Sequence, residues 1–135
     1  MNMIHSTFAN AALFRAENGD VVRAEQLLNK SIEIADSKGT ADDRFFARIY
    51  LAQFLVDAGR DQAAEIVYKS AITTAARQTL NMRHSLALRE LAEVVERLGR
   101  PNEALALEQL AWKTFESSSD DACQQAVSIN VSVAS

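Results

Sequence analysis

Apolar positions recur every 40 residues along this chain and divide it into three similar units. Within a unit they fall three, four or seven residues apart, which places them on one face of a helix. Each unit has one such stretch before a glycine and another after it, and the glycines are Gly19, Gly59 and Gly99. The pattern predicts six helices, at about residues 4–18, 21–37, 41–58, 61–78, 83–98 and 101–117.

Alanines repeat at fixed positions on both helices of every unit. One alanine lies seven residues before each glycine, and another lies five residues after it. These two columns are Ala12, Ala52 and Ala92, and Ala24, Ala64 and Ala104. Because alanine lets two helix axes approach closely, we expect the helices of a unit to pack through these columns. Stacked units then bury a continuous core.

Several residues at the predicted helix ends have the chemistry of helix termini. The Asp20 side chain can accept backbone N–H bonds at the start of a helix. Thr40 followed by Asp43 predicts a variant capping box. Gly39 is expected to end the preceding helix in the left-handed conformation. Pro101 suits a first helical turn, where its missing N–H leaves no hydrogen bond unmade.

The leucine–alanine pairs at 51–52 and 91–92, each followed by a glycine and then an alanine, resemble the tetratricopeptide repeat (TPR) family. Segments 19–32 and 59–72 share the form G-x4-A-E, which is similar to the longer-period TPRs of kinesin-light-chain type. The period of 40 exceeds the usual length of about 34 residues. The resemblance covers residues 4–117. It implies an all-α, right-handed solenoid of three helix–turn–helix repeats, whose first helices line a concave binding groove.

A polar break at residues 117–121 ends the repeat pattern. We therefore divide the chain into a helical repeat domain at 1–117 and a polar tail or capping segment at 118–135. In the tail, apolar residues alternate with small or polar ones from Val127 to Val133, which is a strand-like period of two. Since no sheet is predicted for it to join, we expect a loosely attached tail. A short cap, or pairing with another chain, is the alternative.

Composition and charge exclude several classes of function. Apolar residues make up 48% of the 135 positions and charged residues 24%, which is typical of a globular domain. A net charge of −4 argues against binding to nucleic acid and to anionic membrane surfaces. The sequence has no recognisable signal peptide and no apolar run of membrane-spanning length. Its single cysteine, Cys123, cannot form an internal disulfide, so we expect a cytoplasmic protein.

The sequence predicts no catalytic residue, metal site or cofactor, and so not an enzyme. It contains no glycine-rich phosphate loop, no G-x-S-x-G and no H-E-x-x-H motif. His5 and His84 belong to different units, and Cys123 has no histidine near it in sequence. Four glutamates lie close together, but arginines are interleaved with them at helical spacing, which favours a salt-bridged surface. These glutamates are Glu90, Glu93, Glu96 and Glu103.

Two surfaces are candidates for binding a protein or peptide partner. The first is the groove implied by the TPR resemblance, with Phe46, Ile49, Tyr50, Gln53, Arg89 and Glu93 as its contact residues. The alternative for its apolar members is that they are simply core. The second surface is the last helix, which is apolar on more than one face and offers Leu105, Trp112 and Phe115. A terminal repeat needs a cover, so these residues predict a cap, a partner or a homo-oligomer contact.

Overall fold

The computed structural model describes the backbone of residues 19–134 and the side chains of residues 19–118. This part of the chain is all helical, without strands. Its five helices are α1 (Val21–Lys38), α2 (Ala41–Asp57), α3 (Asp61–Arg77), α4 (Asn81–Arg97) and α5 (Pro101–Ala134). The bounds of α1 to α4 agree with the sequence prediction to within two residues. The predicted helix at 4–18 lies outside the described residues, as does Ala12.

The last helix departs from the prediction, because α5 continues to Ala134 instead of ending near residue 117. Hydroxyl side chains at and just before the predicted break donate hydrogen bonds to carbonyl groups of their own helix. The Thr114 hydroxyl donates to the Leu110 carbonyl at 2.8 Å, and the Ser117 hydroxyl donates to the Lys113 carbonyl at 3.1 Å. No glycine or proline follows to stop the helix. The strand-like interpretation of the tail was therefore wrong, while the division at residue 118 stays a prediction.

Glycine ends the first helix of each of the two complete helix pairs. Gly59 and Gly99 have φ angles of +75° and +85°, in the left-handed region that costs other residues about 1–2 kcal/mol. The next residue then closes the turn: the Arg60 N–H donates to the Leu55 carbonyl at 2.8 Å, and the Arg100 N–H donates to the Val95 carbonyl at 3.1 Å. The glycine spacing thus reflects one turn used twice.

The start of α2 confirms the predicted capping box. The Asp43 N–H donates to the Thr40 hydroxyl at 3.2 Å, and the Thr40 N–H donates to the Asp43 carboxylate at 2.9 Å. The left-handed conformation expected for Gly39 was wrong, because its φ is −88°. Gly39 is needed for space instead: a Cβ there would lie 2.7 Å from the Ala35 carbonyl oxygen. The predicted cap of α1 is present, since Asp20 accepts from the backbone of Arg23 at 3.1 Å.

The two alanine columns lie in the core, as predicted. Every described member is buried: Ala24, Ala52, Ala64 and Ala92 have no exposed surface, and Ala104 is 3% exposed. Larger residues fill the space around them, and Phe45, Leu91 and Val95 belong to the same buried cluster. The core is therefore continuous from α1 to α5.

An ion pair repeats with the same period and ties the residue after each glycine turn to the second helix of the preceding unit. Arg60 contacts Glu25 at 2.8 Å, and Arg100 contacts Glu65. Both glutamates are the last residue of the G-x4-A-E pattern. The hydrogen bond from Arg100 lowers the pKa of Glu65. These arginines form a 40-residue column that the sequence analysis missed.

Side-chain contacts fix how the helices run. Arg83 near the start of α4 contacts Asp42 near the start of α2 at 2.9 Å. Farther along both helices, the Gln53 amide donates to Glu90 at 2.9 Å, so α2 and α4 are parallel. Neighbours in sequence are antiparallel, since short loops join them. First helices of successive units therefore lie side by side, which is an α-solenoid arrangement.

We predict that Ala92→Leu lowers the free energy of unfolding by about 1–3 kcal/mol, because the added side chain has no space between closely packed helices. Urea unfolding followed by circular dichroism measures the change. Ala106→Leu is the matched control: Ala106 is exposed on α5, and its substitution should change stability by no more than about 0.5 kcal/mol. Equal stability of the two variants would contradict close packing at the alanine columns.

Candidate binding groove

A groove of about 730 Å³ opens between α4 and α5, with one side bordered by α2. One stripe of α4 forms its first wall through Met82, Leu86, Arg89 and Glu93. Glu108, Trp112 and Phe115 of α5 form the second wall. Residues three or four apart share one helix face, which explains both stripes. The core-facing side of α4, with Leu91 and Val95, is buried.

The floor of the groove is a close contact between its two helices. The Ser85 hydroxyl donates to the Ala111 carbonyl of α5 at 2.7 Å. Ala111 is 5% exposed, so α5 approaches α4 closely at this point. Because the helices are antiparallel, the start of α4 lies beside the later part of α5. Met82 and Phe115 are therefore at one end of the groove, and Glu93 is towards the other.

The first end of the groove is an exposed aromatic and aliphatic patch. The Trp112 and Phe115 rings lie 5.9 Å apart, centroid to centroid, and are inclined by 31°. Trp112 is 61% exposed and Met82 is 57% exposed. A patch of large apolar side chains rimmed by charge is typical of a binding surface.

Phe46 borders the groove from α2, and its ring contacts side chains of both α2 and α4. Its ring stacks on Tyr50 at 6.2 Å and meets Phe45 edge-on at 5.3 Å. The Arg83 guanidinium lies 5.0 Å from the ring centroid, within the range of a cation–π interaction. Since Asp42 also contacts Arg83 at 2.9 Å, this arginine joins α2 to the groove wall of α4.

The second end of the groove is charged. Arg89, Glu93 and Glu108 are exposed there. Glu93 also lines a smaller polar cavity of about 310 Å³, together with Gln53, Tyr68 and Glu90 among others. Burial, followed by the negative charge of Glu90, raises the pKa of the Tyr68 hydroxyl above its usual range. Arg97 lines this cavity too, so the second end combines carboxylates with arginines, and the carboxylates are more numerous.

The structure brings the two predicted surfaces together. Phe46, Arg89 and Glu93, predicted for the concave face, line the same groove as Trp112 and Phe115, predicted for the terminal helix. A single groove at the end of the stack thus contains members of both sets.

The remaining predicted residues lie elsewhere. Ile49 is 2% exposed and belongs to the core, so its assignment to the contact surface does not fit its burial. Tyr50 is half-buried against the core and stacks on Phe46, which borders the groove. Gln53 lines the smaller polar cavity. Leu105 is 55% exposed on α5 but lies outside the groove lining.

The lining residues that the sequence analysis did not name include Met82, Arg83 and Glu108. Helical spacing carried a signal for two of them. Met82 precedes Arg89 by seven residues, and Glu108 precedes Trp112 by four, so each shares a helix face with a residue that was predicted. Arg83 had no such signal, because its place depends on Phe46 and Asp42 in another unit.

Among the described side chains, at residues 19–118, no three His, Cys, Asp or Glu residues are grouped so that they could hold a metal ion. None of the described helices is long and apolar enough to cross a membrane. His84 is partly buried, and this burial lowers its pKa. The His5 and Cys123 side chains lie outside the described part.

We predict that Ile49→Ala and Trp112→Ala separate core from surface. Removing the buried Ile49 side chain leaves a cavity and should cost about 2–5 kcal/mol. Removing the exposed Trp112 ring should cost less than about 1 kcal/mol. Chemical denaturation of both variants measures the difference. A Trp112→Ala variant as unstable as Ile49→Ala would mean that the tryptophan supports the fold.

Two solved structures share this arrangement of helices. The TPR domain of Arabidopsis FLU is similar with a TM-score of 0.70 at 14% identity, covering 85% of this chain and 97% of that one. A putative kinesin light chain of Podosopora anserina, with nearly identical TPR-like repeats, has a TM-score of 0.68 at 20% identity, covering 82% of this chain and 55% of that one. No protein-family model and no curated protein matches the sequence. The repeat pattern and these two likenesses agree, and in its fold this chain is a TPR-like helical repeat protein.

Proposed function

We propose that this protein is a scaffold that binds a segment of a partner protein in the groove between α4 and α5. The observation that carries the proposal is the exposed pair of Trp112 and Phe115, which lies in a groove of about 730 Å³ beside further apolar side chains. TPR-like repeat proteins typically mediate protein interactions, which supports the same function.

The groove offers both anchoring and selection. Aromatic side chains such as Trp112 contribute most to binding when a partner removes them from water. Phe46 adds a ring whose orientation is already fixed by Arg83 and Tyr50, so little conformational freedom is lost on binding. Arg89 and Glu93 at the other end would favour partners with matching charge, since unmatched buried charges are costly.

Selection from a peptide display library on the folded chain tests this function. We expect the library to yield peptides that bind the native chain and lose at least about tenfold in affinity for the Trp112→Asp variant, because a buried charge opposes apolar contact. Glu96→Asp, an exposed position outside the groove lining, is the control and should bind these peptides unchanged. If every selected peptide binds the Trp112→Asp variant equally well, the groove is not the binding site.

A self-associating structural module is the second candidate. It is favoured by the exposure of Leu105, Trp112 and Phe115 on one side of α5, because a second copy could cover all three. In this case the partner is another molecule of the same chain, joined through a symmetric contact.

Sedimentation velocity decides between the two candidates. Under the scaffold proposal we expect a monomer up to high micromolar concentration, since the groove must be open to receive its partner. Under the alternative, the chain sediments as a dimer and Trp112→Asp returns it to a monomer. A dimer that survives Trp112→Asp contradicts self-association through this surface.

Further features of the proposal come from the sequence. We propose three repeats with six helices, the first helix being residues 4–18. We also propose a cytoplasmic protein that uses no cofactor. We propose that it binds neither nucleic acid nor membranes, in agreement with its net charge of −4. A catalytic role is not part of the proposal.

A further inference from the structure

The groove lies where the repeat register calls for another helix. Ten of its eleven lining residues have counterparts 40 positions earlier in the middle unit, and six of these ten counterparts are buried, between 0% and 3% exposed. The buried counterparts are Asp43, Phe45, Ile49, Tyr68, Ala71 and Ala75, and the matching lining residues are Arg83, Ser85, Arg89, Glu108, Ala111 and Phe115. The first helix of the next unit, α4, lies against α2 and α3 and helps to cover these positions of the middle unit.

From this equivalence, and resting on the scaffold function proposed above, we infer the chemistry of the partner. The groove binds an amphipathic helix of another protein, which lies parallel to α4. This helix carries an apolar side chain at one position, i, and a lysine or arginine at i+7. The middle unit presents one set of side chains to α4, and the last unit presents a different set to the partner.

α4 makes two polar contacts with the middle unit, through residues of α4 that are seven positions apart. At the first, Arg83 contacts Asp42 at 2.9 Å and lies over the ring of Phe46. At the second, Glu90 accepts a hydrogen bond from Gln53 at 2.9 Å and lies close enough to Tyr68 to raise the pKa of its hydroxyl. The first contact thus pairs a cation with a carboxylate, and the second pairs a carboxylate with neutral donors.

The last unit changes both sets of partners. Met82 stands at the position of Asp42, and Leu86 stands at that of Phe46, so the first contact becomes apolar. Trp112 and Phe115 lie at the same end of the groove. A helix bound there needs an apolar residue in place of Arg83.

The second contact changes in charge. Glu93 stands at the position of Gln53, and Glu108 at that of Tyr68, so two neutral donors become two exposed carboxylates. Arg97 stands at the position of Asp57 beside them, but its charge is paired with Asp61 at 3.2 Å. A glutamate like Glu90 would be repelled by this pair, whereas a cation would be attracted. The bound helix therefore has a lysine or arginine seven residues after its apolar anchor. Arg89 replaces Ile49 between the two contacts and favours a polar or acidic residue in that interval.

The same comparison argues for a partner protein over a second copy of this chain. The helix of a second copy would have to offer an apolar residue and then a cation. At the corresponding positions α2 has Asp43 and Tyr50, and α4 has Arg83 and Glu90. The sequence of the predicted first helix has Met3 and Asn10 there. None of the three supplies a cation at the second position.

Two synthetic peptides test the inference. Both contain residues 81–98 of this chain with R83L, and one also carries E90K while the other keeps the glutamate. Fluorescence anisotropy of the labelled peptides measures their binding to the full chain. We expect the E90K peptide to bind about tenfold more tightly than its control, since only this peptide places a cation between Glu93 and Glu108.

Variants of the full chain show where the preference arises. We expect the double variant E93Q/E108Q to bind both peptides equally, while E33Q, at an exposed glutamate of α1, keeps the tenfold preference. Circular dichroism confirms that each variant is folded. Equal binding of the two peptides to the native chain, a preference that persists in E93Q/E108Q, or binding of neither peptide would each overturn the inference. The scaffold function would still stand if Trp112-dependent peptides were selected without a basic residue at i+7.

Discussion

Buried alanines lie on both helices of each complete pair, and the close approach that they allow is the constraint on which the rest of the structure depends. Ala52 and Ala64 occupy this place in one pair, and Ala92 and Ala104 occupy it in the next. A fixed distance between helices requires a fixed turn, which Gly59 and Gly99 supply through their left-handed conformation. The ion pair from the following arginine then holds each turn against the second helix of the preceding unit. The 40-residue period is thus the length of one packed unit.

A repeating interface has a consequence at the end of the stack. Each unit buries a face that it cannot cover by itself, and the next first helix covers it. In the middle unit this face is hidden, and Phe45 and Ala75 have no exposed surface. In the last unit the equivalent face opens into the groove, and Phe115 is 38% exposed. The groove is therefore produced by the fold itself, and its lining residues give it selectivity.

The sequence predicted what depends on spacing and left out what depends on contacts between units. The helices, the buried alanine columns and the capping box at Thr40 follow from local chemistry and a constant period. The pattern alone did not decide whether Ile49 belongs to the core or to the contact surface, because a helix packed between two neighbours has more than one apolar face. The end of α5 was misjudged for a different reason: serine and threonine side chains bond to their own helix, so a polar segment need not end it.

The candidate site could be predicted in parts, though not as one surface. Phe46 and Trp112 are 66 positions apart in the sequence and belong to helices that no local pattern brings together. The repeat register connects them once the packing of α4 on α2 is known. The same register shows where the units differ, since Gln53 and Tyr68 give way to Glu93 and Glu108. Packing positions must stay constant for the stack to form, but a face that none of the described helices covers is free to change its charge. Such changes are where a repeat protein gains specificity, and in this chain they leave an apolar site at one end of the groove and a charged site at the other.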